Sequence, residues 1–196
     1  MTYKPVDPPF ELNFEEMSQK GLRAYFDWFL GSLSEREKEL EAEVRRAPGF
    51  ETWTADRTPA SLDALGEWFA GQVEERPLTD EEMAKGRSSV PEEASFLLDE
   101  LPTTTPTFRT LSLTFDVGAY LGQVLLKNCE GVSWQQVRSG KSYHDYGQPV
   151  LVGLGPVRCS PLLLVMTLAH GIADGKKSGT GLRKLYDIWS SKKVSG

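Results

Sequence analysis

The spacing of apolar residues along the chain predicts helices through most of its first half. After a proline-rich leader, Asn13 with Glu16 three residues on reads as a helix start. Phe14, Leu22, Phe26, Phe29 and Leu33 then recur near the helical period, and Tyr25 and Trp28 widen that stripe. Ser34 with Glu37 repeats the capping arrangement and predicts a second helix, EREKELEAEVRR, which turns Leu40 and Val44 inward until Pro48 and Gly49 end it. Thr58 ahead of Pro59 predicts a third, with Leu62, Leu65, Phe69 and Val73 on one side; Thr79 with Glu82 predicts a short fourth. VPEEASFLLDEL suits one or two further turns. The Pro- and Thr-rich segment 101–108 reads as an irregular connector and is the best internal boundary, between a helical part over about 11–100 and a second part over 109–196. No repeat of fixed period is visible, and the whole is expected to be one domain.

In the second part the pattern changes. Leu113, Val117, Leu121, Val124 and Leu125 share one face of a central helix, while Asp116, Tyr120 and Gln123 share a neighbouring one. Gly118 and Gly122 strip side chains from one line of that helix and invite a close neighbour. SWQQVRS and QPVLVGLG read as two strands of a small antiparallel sheet, and the polar, aromatic loop 139–148 between them is placed to line a pocket. Ser160 and Pro161 start a buried helix, PLLLVMTLAHGIA. Gly175 then supplies a left-handed stop, Lys176 and Lys177 sit at the carboxyl end, and Thr180 caps a last helix with Leu182, Leu185, Ile188 and Trp189 inward. The expected class is α+β, mainly helical, with a small antiparallel sheet of two or more strands in the C-terminal half.

Charge sharpens this division. Residues 1–100 hold 23 acidic against 11 basic side chains, a balance of −12; residues 101–196 hold 5 against 11, a balance of +6. The halves attract, which suits docking of one on the other, and a basic half also suits an acidic partner. An overall charge of −6 without a basic and aromatic cluster argues against nucleic acid. The longest uncharged apolar stretch, 161–169, is too short to span a bilayer, and no secretory leader is visible, so the expected location is the cytoplasm. Cys129 and Cys159 lack CxxC spacing and are read as reduced packing residues.

The stretch AHGIADGKKSGTG, 169–181, looks most like chemistry. A phosphate loop needs G-x-x-x-x-G-K-[ST] between a strand and a helix; here Gly171 to Gly175 is one residue short, Lys177 stands where Ser or Thr belongs, and a helix precedes. The stretch therefore reads as a turn between helices. His144 and His170 are the two histidines, too few beside Asp174 for a catalytic zinc, so no metal or cofactor is expected. No nucleophile elbow is present. Tyr143, His144 and Asp145 are the best acid–base candidates, and a ligand pocket would join Asp116, Tyr120, Gln123, Trp134, Tyr143 and His144 where the central helix meets the 139–148 loop.

YFDWFLGSLSERE, SLDALGEWF, SLTFDVGAYLGQVLLKN, QPVLVG, the helix from Pro161 and LRKLYDIW together resemble a loosely defined group of uncharacterised bacterial proteins, some of immunity or accessory type. The group commonly has Glu where this chain has Gln123. The lack of a nucleophile–base or metal set and the charge asymmetry point to a non-enzymatic protein that binds a protein partner, of the immunity or accessory type that the resemblance implies. The alternative from the residues is a small-ligand binder or hydrolase with its site near the central helix and the 139–148 loop.

Overall fold

The computed structural model describes residues 2–91, 93, 96, 98, 99 and 101–192. Ser18 has an extended backbone, accepts the Gly21 amide at its hydroxyl at 3.1 Å, and starts helix α1, Gln19–Val44. The expected start at Asn13 is instead a turn, in which the Asn13 carbonyl accepts the Glu16 and Met17 amides. α1 also runs unbroken through Ser34, merging two expected helices. Leu22, Tyr25, Phe29, Leu33, Leu40 and Val44 are buried at steps that keep one helical face turned to the core. That continuous burial outweighs the local capping signal at Ser34.

Helix α2, Ser61–Ala70, begins after Thr58, whose Oγ1 accepts the Ser61 amide at 3.3 Å. Leu62, Leu65 and Phe69 are fully buried, whereas Val73 lies beyond the helix and is half-buried. Helix α3, Asp80–Ser88, has the expected capping box between Thr79 and Glu82 and buries none of its side chains. Of the one or two turns expected over 90–101, Glu93, Phe96, Leu98 and Asp99 lie in 3-10 turns, and 92, 94, 95, 97 and 100 fall outside the described residues.

The segment 101–108, expected to be irregular throughout, is regular over 104–106. Thr104–Pro106 forms strand β2, antiparallel to β1, Glu75–Pro77, and Thr107 caps the next helix by accepting the Thr110 amide at 3.2 Å. In a two-stranded ribbon each strand has an unpaired side, so prolines are tolerated there, and the threonines favour extended backbone. Helix α4 is Phe108–Asn128. Strands β3, Ser133–Gln136, and β4, Pro149–Val152, pair antiparallel, with Trp134 opposite Leu151; Cys159 adds one bridge to Leu151. Helices α5, Pro161–Ala173, and α6, Thr180–Ser191, follow. The fold is thus α+β and mainly helical, with two small sheets among the described residues in place of the one expected.

α4 is the pivot, touching α1, α2, α5 and α6. Leu113, Val117, Leu121, Val124 and Leu125 have no exposed surface and join residues from both halves, such as Leu40, Phe69 and Leu182, in one core. The glycines permit this crowding: a Cβ on Gly118 would lie 2.9 Å from the Leu162 Cα, and one on Gly122 would collide with the Trp134 ring. Where the start of α6 meets α2, the backbone of Gly179 rests directly on that of Gly66. Ion pairs join the acidic half to the basic one, Glu43 to Arg109 at 2.7 Å and Asp63 to Arg183 at 3.1 Å.

Candidate functional site

Asp116, Tyr120 and Gln123 share a face of α4, as their spacing predicts, but that face is turned inward. Asp116, 2% exposed, accepts Arg36 Nε at 2.8 Å, Arg36 Nη2, and the Tyr3 hydroxyl at 2.6 Å. Burial pushes its carboxyl above the usual carboxylate range, while the Arg36 guanidinium pulls the other way. Arg36 Nη1 also donates to the Lys4 carbonyl at 2.8 Å, and the Val6 amide donates to the Ser112 hydroxyl. The pair therefore straps the start of the chain across α1 and α4.

Tyr120 has an equally local task. Its hydroxyl accepts the Arg57 amide at 2.9 Å and shares a hydrogen bond of 2.8 Å with Ser61 Oγ. Arg57 is held in the left-handed region, φ 57°, a conformation that a non-glycine residue adopts only when its surroundings enforce it. Glu37 accepts its guanidinium twice, at 2.8 and 2.9 Å, and Asn128 Nδ2 donates to its carbonyl at 2.8 Å. Gln123 is half-buried beside them, in a crevice with no room for a water molecule.

Trp134 packs edge-on against Phe29, ring centroids 5.0 Å apart, and its Nε1 is buried without a partner. Tyr143 and His144 are exposed and line a different cavity from Asp116, Tyr120 and Gln123. The single pocket expected from these six residues is therefore not formed. Helical spacing shows that three residues share a face; it does not say which element that face meets.

The other candidate groups are also dispersed. Asp145 pairs with Arg158 at 3.1 Å. His170 Nδ1 lies 3.9 Å from Glu75, whereas Asp174 pairs with Lys176 at 2.7 Å. Cys129 and Cys159 are buried and not joined in a disulfide, and burial pushes the Cys159 thiol up to about 12, so it stays protonated at neutral pH. Among the described residues no three His, Cys, Asp or Glu side chains gather closely enough to share a metal ion, and no described helix is long and apolar enough to cross a membrane.

The 169–181 stretch closes as a helix stop. Gly175, φ 68°, donates its amide to the Ile172 carbonyl, and the Lys176 and Lys177 amides both donate to Gly171. That double closure satisfies the carboxyl end of α5 and leaves these amides no anion to hold. Gly179, and not Thr180, precedes the first turn of α6.

An open concavity lies beside this stop. A cavity of about 600 Å³ opens between α5 and α6, walled by Leu164, Thr167 and Leu168 on one side and Leu185 and Ile188 on the other. It adjoins a second, of about 490 Å³, through the shared residues Leu164 and Thr167; the second continues past Leu163 and Trp189 to the 139–148 loop. The result is one open groove. Ile188, expected to face inward, is 53% exposed at its rim, and Tyr143 and Val157, each 61% exposed, stand at its far end. Tyr186 is buried on the other side of α6.

The groove is cationic. Lys177, Lys184 and Lys192 border it without a carboxylate partner among the described residues, whereas Lys176 is neutralised by Asp174 and Arg158 by Asp145. Lys192 Nζ lies 3.7 Å from the Trp189 ring centre. A signal for the groove was present in the sequence. PLLLVMTLAHGIA carries more apolar positions than the one face that packs on α4 needs, and Leu163 and Leu164 are left half-buried along the groove beside the exposed Thr167. No protein-family description, no curated protein and no solved structure matches the chain.

Proposed function

We propose that the chain is a non-enzymatic binding protein, of immunity or accessory type, which takes a protein partner into the groove between α5 and α6. The observation that carries this reading is the groove itself: two adjoining cavities whose walls include Leu163, Leu164, Leu185 and Ile188, beside a helix whose apolar residues are only partly covered. Contiguous exposed apolar surface with a polar rim is the usual mark of an interaction site. The groove is open along its length, whereas small-ligand sites enclose most of their ligand. The polar side chains of α4 that would have served chemistry are engaged in holding Tyr3, Arg36 and Arg57 in place.

The test uses exposed positions, so that folding is preserved. Thr167 and Ile188 face the groove. A tagged chain expressed in its native cells is expected to carry a stoichiometric protein partner, and Thr167→Glu with Ile188→Glu is expected to release it while the circular dichroism spectrum stays unchanged. A partner retained by the doubly substituted chain, or the absence of any partner, sinks the reading.

A further inference from the structure

Resting on that reading, we infer that what docks in the groove is a single amphipathic helix of the partner, apolar on one face and flanked by Asp or Glu. Three features of the groove select it. First, the part of the groove between α5 and α6 is walled by two helices and the turn that joins them, with none of the strands β1–β4 on it, so an extended segment finds no edge to pair with there, whereas a helix satisfies its own backbone. Second, the dimensions fit: the twelve residues of α6 rise roughly 18 Å, enough to lie along about three turns of a partner helix. Third, the charges select the sign. Lys184 and Lys192 flank Ile188 along one side of α6, Lys177 borders the end closed by the 175–181 turn, and all three lack carboxylate partners among the described residues.

The same charges decide against a second copy of this chain seated face to face, because a symmetric contact would bring the lysine rims together. An acidic helix, by contrast, neutralises them while its apolar face covers Leu164, Leu185 and Ile188.

The experiment follows the Trp189 indole N–H, assigned through Trp189→Phe, and the α6 amides by NMR on the full chain. The probes are a synthetic amphipathic Leu/Glu peptide helix, the same peptide with Lys in place of Glu, and phosphatidylglycerol vesicles. The Glu peptide is expected to shift these signals, to bind less tightly as salt rises, and to lose about tenfold or more in affinity for the chain carrying Lys177→Glu, Lys184→Glu and Lys192→Glu. The inference is overturned if the Lys peptide binds as well, if the vesicles bind and the Glu peptide does not, or if the signals move with protein concentration alone, the sign of self-association. Should no peptide bind while Thr167→Glu with Ile188→Glu still releases the native partner, the acidic helix is excluded and the groove stands. If the substituted chain keeps its partner, both fall.

Discussion

Removing the Asp116 carboxylate is expected to destabilise the whole fold. The side chain of Asp116 has no exposed surface and that of Arg36 has 9%, so neither group can turn to water without moving backbone. Asp116→Ala deletes the carboxylate that accepts Arg36 Nε, Arg36 Nη2 and the Tyr3 hydroxyl, leaving a buried guanidinium with no counter-charge, held only through neutral acceptors, the Lys4 carbonyl for Nη1 and the Tyr3 hydroxyl for Nη2. Breaking a buried ion pair on one side costs about 3–5 kcal/mol. Against a total stability of about 5–15 kcal/mol for domains in general, that is a large fraction. Replacing both charges, Arg36→Met with Asp116→Leu, leaves no stranded charge and is expected to cost less than Asp116→Ala alone. Urea unfolding followed by circular dichroism measures each variant. A loss below about 1 kcal/mol for Asp116→Ala, or a double variant less stable than the single one, would refute a structural role for the pair.

Two further predictions concern α3 and the glycines. The Glu82 carboxyl is held down at about 2, first by its hydrogen bonds from Arg76 and next by the Thr79 amide. Its folded value lies below the ordinary one of 4.5, so its support for the start of α3 is complete above that value and fades as pH falls towards 2; amide exchange in α3 should rise across this window, and a flat profile would count against the capping box. Gly31, exposed inside α1 with nothing within 4 Å of an added Cβ, and Gly118, buried against the Leu162 backbone, should respond oppositely to Ala. Gly31→Ala is expected to gain up to about 1 kcal/mol from helix propensity, whereas Gly118→Ala meets an overpacking cost of about 1–3 kcal/mol that outweighs the same gain; thermal unfolding that moves both the same way would contradict the packing described.

The sequence made the interior of the elements legible more fully than their ends. The apolar face of α4 and the close-approach glycines followed from spacing because each depends on one helix and its period. The merged α1, the β1 and β2 ribbon and the outward Ile188 did not, since each depends on a neighbour distant in sequence: the core behind Ser34, the partner strand across from Thr105, and the turn of α6 against α2. The site was misread for the same reason. Asp116 and Tyr120 resemble functional polar residues in sequence, but their partners, Tyr3, Arg36, Arg57 and Ser61, come from elements that no local pattern links to α4. Lys184 and Lys192 counted in the sequence only towards a net charge, and Lys177 only as a charge at a helix end, until the fold gathered them along one groove.

The bare contact of Gly66 with Gly179 bears on how the molecule comes into being. Helix α6 seats on α2 with backbone against backbone at this point, so the surface of α2 prepared early in synthesis stays uncovered until α6 has been made. Contacts spanning such a separation in sequence slow folding, and until α6 arrives α2 offers its apolar side to whatever is nearby, a chaperone included.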